Sequence, residues 1–243
     1  MYVTAHRGFD DYYPENTVGA ISRAARTDGV DAVEFDVRRC GSGELVVIHH
    51  DHVGTISESS GDVNELSVSE LAAVSVEGSG EGVPQLDEVL DVVPPEIGIN
   101  VELKETRIAE DVLDAVSGID NDVALSALGA NINALWEARL ADESAALVCN
   151  FGVRPSEGVE TADLIGCVSA NPHWAICLAG NTIDRAHDLG LEVHPWPVSS
   201  PVVTEVVRRR GVDGIIASTP KAMRPVGEDI DLDELFRRVS RSA

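Results

Sequence analysis

The sequence predicts an α/β protein, a (β/α)8 TIM barrel with a small polar insertion after the second strand and its hairpin arm. Two observations support this fold class. Eight short apolar strands alternate with helical segments along the 243 residues, which is typical of parallel strands joined by helices. No GxGxxG turn follows the first strand, so a doubly wound open sheet is the less favoured alternative. We expect residues 1–243 to form one domain, with the insertion at 50–84.

The first predicted strand, Tyr2–Ala5, is short and apolar, and it places His6 and Arg7 at its carboxyl end. A turn follows at residues 14–17, where an Asn or a Thr can cap the next helix. That helix carries apolar residues on one side and is expected to end at Gly29.

The second predicted strand, Asp31–Arg38, carries two acids. Its apolar and charged residues alternate, and a strand turns successive side chains to opposite faces, so Glu34 and Asp36 share one face about 7 Å apart. Two carboxylates on an inner face are costly unless a cation or hydrogen-bond donors meet them. We interpret them as metal ligands; salt bridges to Arg38 or Arg39 are the alternative.

A hairpin arm at Leu45–Ile48 follows the second strand and ends in His49. The polar residues 50–84 are expected to lie over one end of the fold as an insertion, rather than to link two domains, because the alternation of strands and helices resumes after them. The next strand, Ile97–Lys104, presents a second inward polar row that includes Glu102.

The remaining predicted elements continue the alternation of strands and helices. The predicted strands are Asp122–Leu125, Ala145–Cys149, Asp163–Val168, Leu191–Trp196 and Gly214–Ala217. The predicted helices are Ser67–Val74, Leu86–Val92, Ile132–Leu140, Ile183–Leu189, Val202–Arg210 and Leu232–Val239.

The composition limits the choice of partners. A formal net charge of -24 repels nucleic acid and anionic membranes, so we expect neither as a stable partner. The same charge indicates adaptation to a high-salt, halophilic cytoplasm, where counterions screen the self-repulsion; a well-solvated acidic protein is the alternative. The sequence leaves the oligomeric state open.

The four cysteines show no CxxC spacing, which favours buried free thiols over a zinc site or a disulfide. No apolar run reaches the ~18 residues of a membrane span. No signal peptide precedes the first strand, and we expect a cytoplasmic protein.

Polar residues from neighbouring strands are expected to meet at the carboxyl end of the barrel, where active sites of this fold lie. The carboxylates of Glu34, Asp36 and Glu102 suit a hard divalent cation such as Mg²⁺ or Ca²⁺, with Mn²⁺ as a third candidate. Two histidines near that cation suit acid/base work near neutral pH. Arg7 and Lys104 add the positive charge that an anionic substrate needs. This set of groups describes phosphodiester cleavage.

Seven short motifs are spread over nearly the whole chain. They are HRG at 6–8, PENT at 14–17, EFD at 34–36, VVIH at 46–49, PQLDE at 84–88, ELK at 102–104 and GVDGII at 211–216. In this order they resemble the motifs of the glycerophosphodiester phosphodiesterases, a family of phospholipase C-like TIM barrels. Trp196 also falls where the family has the Trp of its W-T-x-N. Any one motif is weak, but the ordered set is highly specific.

The resemblance implies a divalent cation held by the three carboxylates, and His6 and His49 as the acid/base pair. We expect Arg7, Lys104 and Trp196 to contact the substrate. The alternatives are a structural ion pair for Arg7, a partner that only neutralises Glu102 for Lys104, and a core-filling role for Trp196. In the family's mechanism the glycerol hydroxyl of the substrate attacks phosphorus, the alcohol head group leaves, and water opens the cyclic phosphate. The implied activity is hydrolysis of glycerophosphodiesters to sn-glycerol 3-phosphate and an alcohol, within lipid metabolism. Which histidine acts as acid and which as base is not readable from the sequence.

Departures from the family pattern leave the substrate open. The family's His-Asp is His49-His50 here, its Asp-Arg-Thr-Thr corresponds to residues 54–57 without the arginine, and its Asp after GVDGII is replaced near Ser218. A lysophospholipase D or a sphingomyelinase D of the same barrel is the first alternative. Such enzymes need an apolar ramp or membrane-facing loops, and the polar, acidic insertion of this chain disfavours this alternative. A barrel that binds phosphodiesters without turnover is the second.

Four further histidines, outside the proposed acid/base pair, have separate expectations. His50 and His52 follow His49 in an HHDH run, and we prefer a solvated turn there to a second metal site. His173 follows a predicted strand and is a candidate for the pocket wall. His194 lies two residues before Trp196 and is expected to fill the barrel.

Overall fold

Parallel strands form the centre of the protein, which a computed structural model describes for residues 1–226. The strands are β1 (Tyr2–Ala5), β2 (Ala32–Arg39), β3 (Leu45–Val47), β4 (Gly98–Leu103), β5 (Val123–Leu128), β6 (Ala146–Phe151), β7 (Ser169–Pro172) and β8 (Gly214–Ala217). Seven of them pair in parallel in the order β7-β6-β5-β4-β2-β1-β8, and β3 adds antiparallel to β2 as the predicted hairpin arm.

Helices connect most of these strands along the outside of the sheet. They are α1 (Val18–Ala24), α2 (Val68–Ala72), α3 (Leu86–Leu90), α4 (Ala109–Val116), α5 (Asn133–Ala141), α6 (Pro155–Ile165), α7 (Thr182–Asp188) and α8 (Pro201–Arg209). The Thr17 side chain caps α1 by accepting from the N–H of Ala20, as the sequence predicts. The predicted helix Leu232–Val239 lies outside the described residues.

The segment 192–198 takes the place of a barrel strand between β7 and β8. On one side the N–H of Trp196 donates to the carbonyl of Pro172 in β7 at 3.1 Å. On the other side the N–H of Val198 donates to the carbonyl of Ile216 in β8 at 2.9 Å. Pro195 and Pro197 lack an N–H, which explains why the predicted strand Leu191–Trp196 is reduced to isolated bridges. This segment connects the two ends of the sheet, and the (β/α)8 TIM barrel prediction is confirmed.

The predicted strand Asp163–Val168 is wrong. Residues up to Ile165 belong to α6, which Pro155 begins and which Gly166 ends in a left-handed cap (φ 76°). The strand in this part of the chain is β7, whose polar sequence SANP carries few strand-forming residues. Its polar side chains stay buried because they face the barrel interior, a context that strand propensity does not contain.

Apolar side chains of the strands pack against the helices in one large core, and a smaller cluster lies under residues 53–83. The smaller cluster contains Val46, Ile48, Val53, Ile56, Val63, Leu71, Val74, Val76 and Val83. All four cysteines are buried and free, as predicted. Among residues 1–226 no helix is long and apolar enough to cross a lipid bilayer.

Candidate active site

Three buried carboxylates meet at the carboxyl ends of β2 and β4. Asp36 and Glu102 are directly paired in the parallel register of these strands, and Glu34 lies two residues earlier on the same face. One carboxylate oxygen from each residue lies within 4.8 Å of the others. The alternation in β2 therefore brings the predicted ligand set together. The alternative of salt bridges within β2 is wrong, because Arg38 pairs with Glu105 and Arg39 with Asp111.

Asp36 has the most cationic surroundings of the three carboxylates. Its Oδ2 accepts a hydrogen bond from Asn16 Nδ2 at 2.9 Å and lies 3.0 Å from Nε of Arg7. Its Oδ1 lies 3.4 Å from Nζ of Lys104. Burial would raise the pKa of Asp36, but the charges of Arg7 and Lys104 outweigh it and hold the pKa well below its usual range. Asp36 is therefore ionised.

Glu34 has less support. Its Oε2 accepts a hydrogen bond from the backbone N–H of Arg7 at 3.0 Å, while its Oε1 is buried without a hydrogen-bond partner. Burial and the adjacent negative charge of Asp36 raise the pKa of Glu34 above its usual range. A cation beside this carboxylate would relieve both effects.

Glu102 and Lys104 form a buried ion pair next to these acids. Lys104 Nζ donates to Glu102 Oε1 at 2.7 Å, and Asn150 Nδ2 of β6 donates to Glu102 Oε2 at 2.9 Å. Burial opposes the charge of Lys104, but Asp36 and Glu102 outweigh it and raise its pKa. Lys104 therefore neutralises acids, and it also lines a cleft at this end of the barrel. His6, Arg7, Glu34, His49, Glu102 and Trp196 line the same cleft.

His6 lies on the β1 side of the carboxylates. Its Nε2 is 4.0 Å from Glu34 Oε2, and its Nδ1 is 2.9 Å from Asp10 Oδ2. Burial alone would lower the pKa of His6, but the charges of Glu34 and Asp10 outweigh it and raise the pKa.

His49 follows β3 and lines the same cleft. Its ring packs edge-on against His50 at 4.6 Å between centroids, and its Nδ1 is buried without a hydrogen-bond partner. Burial lowers the pKa of His49 to about 3, and the charges of Arg7 and Lys104 act in the same direction. Arg38 Nε donates to the backbone carbonyl of His49 at 3.0 Å, which fixes the backbone at this position.

The loop after β1 is strained. Arg7 (φ 47°) and Phe9 (φ 73°) both adopt left-handed backbone conformations, which cost of order 1–3 kcal/mol each for residues other than glycine. This turn brings the Arg7 side chain over the acids, where its Nη1 donates to Glu15 Oε2 at 2.8 Å. Glu15 thus braces the loop. Strain of this kind concentrates where a fold holds functional groups.

Trp196 completes the wall of the cleft, and its indole Nε1 donates to the carbonyl of Asn171 at 2.9 Å. His173 lies behind it, with ring centroids 5.8 Å apart. His194 stacks on Tyr2 at 5.5 Å and lines a separate cavity at the amino end of the barrel, where it fills space as predicted. Within residues 1–226 the HHDH run contributes to no metal-ligating cluster, and His52 accepts a hydrogen bond from the backbone N–H of Gly54 instead.

Three residues of the site have no place in the sequence-based prediction of site side chains. Asn16 and Asn150 hold Asp36 and Glu102, and Asp10 contacts His6. For Asp10 the available signal is an acid four residues after a histidine. For Asn16 the available signal is its place in the PENT motif, where only a capping role was expected. Asn150 gave no signal, because its partner Glu102 lies on another strand.

The cleft fits an oxygen-ligated divalent cation. Glu34 Oε1 and Asp36 Oδ1 are buried without hydrogen-bond partners, and among residues 1–226 the three carboxylates face two permanent cations, Arg7 and Lys104. Buried acceptors without donors are costly, and a hard cation satisfies them. The donor set contains oxygen only, which favours Mg²⁺ or Ca²⁺ over a thiolate-binding metal.

Comparison with known proteins gives concordant similarities. The family model of the Glycerophosphoryl diester phosphodiesterase family matches residues 6–222. A glycerophosphodiester phosphodiesterase from Bacillus altitudinis is 28% identical over 247 aligned positions, covering 94% of this chain and 98% of its own.

Solved structures share the fold. A phosphodiesterase from Oleispira antarctica, in complex with the product sn-glycerol-3-phosphate, superposes with a TM-score of 0.80 at 23% identity and covers 92% of this chain and 95% of its own. A glycerophosphodiester phosphodiesterase from Agrobacterium tumefaciens gives a TM-score of 0.78 at 21% identity, with 91% and 97% covered.

Proposed function

Because the chain belongs to the Glycerophosphoryl diester phosphodiesterase family, we propose that it hydrolyses glycerophosphodiesters to sn-glycerol 3-phosphate and an alcohol with the help of a divalent cation. One observation carries the proposal: three buried carboxylates cluster at the carboxyl end of the barrel, and two of them, Glu34 and Glu102, line one cleft together with His6 and His49. The product named for the Oleispira antarctica relative supports the same chemistry.

In this proposal Glu34, Asp36 and Glu102 hold the cation. Bound there, Mg²⁺, Ca²⁺ or Mn²⁺ would supply Lewis acidity toward the phosphoryl oxygens. Glu34 Oε1 and Asp36 Oδ1 support this assignment, because both are buried without a hydrogen-bond donor. Glu34 and Glu102 also line the cleft.

His6 and His49 carry the protons. One imidazole takes the proton of the glycerol hydroxyl while that oxygen forms a bond to phosphorus, and the other gives a proton to the oxygen of the departing alcohol as its bond to phosphorus breaks. Water then adds to the cyclic phosphate with the roles reversed, and the net reaction consumes one water. His6 follows β1 and His49 follows β3, and both line the cleft, which supports their use as a pair.

The cationic and aromatic groups of the cleft bind the substrate. Arg7 and Lys104 face the position of the phosphate with their charges already oriented by acids, so little reorganisation is needed when charge develops there. Trp196 offers an apolar surface for the glycerol or the head group.

We also propose that residues 1–243 form one catalytic domain.

A direct assay separates the possible activities. Glycerophosphocholine, glycerophosphoglycerol and a lysophospholipid are incubated with Mg²⁺, Mn²⁺ or Ca²⁺ at high KCl, and sn-glycerol 3-phosphate is measured. We expect product from the glycerol diesters only with a cation present. Product from the lysophospholipid alone would identify a lysophospholipase D-like enzyme instead. Binding of the diesters without any product would identify a non-catalytic barrel.

A further inference from the structure

The carboxylate of Asp10 lies directly behind the His6 imidazole. Its Oδ2 is 2.9 Å from His6 Nδ1, and the hydroxyl Oγ of Ser218 is 3.3 Å from the same nitrogen. Ser218 comes directly after β8, so the contact joins the first and last strands of the described barrel. Nε2 of the same ring points the other way, toward Glu34 and the cleft.

The loop after β1 is built to make this contact. Residues 7–9 all have positive φ, which turns the chain back under the strand it has just left. The backbone N–H groups of Phe9 and Asp10 then donate to the carbonyl of His6 at 2.7 Å and 3.2 Å. This turn places the Asp10 side chain against the imidazole. Two of the strained residues are not glycine, so the fold maintains this geometry against a conformational cost.

Asp10 is an acceptor in this contact. Burial opposes its charge, but hydrogen bonds to His6 and Ser218 outweigh burial and hold the pKa of Asp10 below its usual range. An ionised carboxylate has no proton to give, so the proton between the two groups belongs to His6 Nδ1. In the neutral imidazole this leaves the lone pair on Nε2.

We propose that Asp10 is the positioning residue of His6: it fixes the Nδ1–H tautomer and aims the lone pair of Nε2 at the bound diester, with Ser218 as a second partner. Asp10 does not reach the cleft itself, since its contacts are with the far side of the ring. The inference rests on the proposed function, because it gives His6 a reaction to serve. A purely structural anchor for the loop is the competing explanation.

The first test replaces the charge without changing the shape. Asp10→Asn replaces an acceptor-only group with an amide, and kcat is expected to fall about 10- to 100-fold with KM unchanged, a part of the roughly 10²- to 10⁴-fold that general acid–base catalysis contributes. Asp11→Asn is the matched control, because Asp11 is the neighbouring acid and is exposed; its kcat should equal that of the wild type. A wild-type kcat in Asp10→Asn would overturn the proposal.

The second test moves the carboxylate. Since residue 218 faces the same nitrogen, Asp10→Asn combined with Ser218→Asp is expected to recover most of the lost kcat. An anchor for the loop would not be restored from β8, so failure of this rescue, with both variants folded, contradicts the proposal.

A third measurement does not depend on turnover. The ¹⁵N shifts of the His6 ring in the neutral state should report Nδ1–H in the wild type and a shift toward the Nε2–H tautomer in Asp10→Asn. An Nε2–H tautomer in the wild type would overturn the inference. If the wild type hydrolyses no diester, the proposed function fails while this spectrum still decides the role of Asp10.

Discussion

Asn16 holds Asp36 through two hydrogen bonds, one in each direction. Its Nδ2 donates to Asp36 Oδ2 at 2.9 Å, and its Oδ1 accepts from the backbone N–H of Asp36 at 3.2 Å. Asn16 also has a left-handed backbone (φ 58°), a conformation that asparagine tolerates better than most residues. The turn before α1 thus fixes both the position and the orientation of a candidate metal ligand in β2.

Removing this clamp should weaken cation binding. We expect Asn16→Gly, which keeps the left-handed backbone accessible, to lower the affinity for Mg²⁺ or Mn²⁺ by about 10- to 100-fold, since Asp36 loses its orienting partner. Isothermal titration calorimetry measures the change. Asn121→Gly is the control, because Asn121 bonds the carbonyls of Pro94 and Ile97 away from the cleft. Equal affinities in wild type and Asn16→Gly would contradict the clamp.

Cation binding should become more stabilising as pH rises. The pKa of Glu34 is raised in the metal-free fold, so the folded protein keeps a proton that the unfolded chain loses above its usual glutamate pKa of about 4.3. The free energy of unfolding of the metal-free protein then falls with rising pH. A cation replaces that proton, and its effect on Tm should therefore be larger near about pH 8 than near about pH 6.

Thermal unfolding with EDTA and with Mg²⁺ at the two pH values measures this difference. Glu34→Gln is the matched variant, because it keeps the shape of the side chain and removes its titration. The pH dependence contributed by Glu34 should disappear in it. A cation-induced shift in Tm that is the same at both pH values in the wild type would speak against Glu34 as a ligand.

Loss of either imidazole should strongly lower kcat while leaving the fold intact. His6→Ala and His49→Ala are each expected to lower kcat by at least ~100-fold, the scale of lost acid/base catalysis. His187→Ala is the control, because His187 pairs with Asp213 on the outside of the barrel. Steady-state kinetics on glycerophosphocholine decides; a near-normal rate in either variant removes that residue from the mechanism.

The acidic surface should make stability depend on salt. With a net charge of -24 the folded protein repels itself, and counterions screen that repulsion. We expect Tm to rise steadily from low to molar KCl. A Tm that stays flat or falls over the series would rule out adaptation to high salt.

Residues on a strand, or directly after its carboxyl end, were predictable from the sequence. Strict alternation predicts the common face of Glu34 and Asp36. The carboxyl ends of β1 and β4 place His6 and Lys104 at the same end of the barrel. These inferences need only the two-residue period of a strand and the known polarity of a parallel barrel.

Contacts between strands were not predictable in this way. Asn150 meets Glu102 across 48 residues, and Ser218 meets His6 across 212, so their pairing exists only once the barrel closes. The wrong strand at residues 163–168 has a related cause. Its apolar run reads equally well as the end of a buried helix, and the true strand β7 is polar because it lines the barrel.

Glu34, Asp36 and Glu102 are proposed to bind one divalent cation that phosphodiester hydrolysis requires. Mn²⁺ binding can be followed by electron paramagnetic resonance on the wild type and on Glu34→Gln, Asp36→Asn and Glu102→Gln. We expect one tight Mn²⁺ per wild-type chain, with affinity and hydrolysis of glycerophosphocholine lost together in each variant. Tight binding that survives all three substitutions would contradict it.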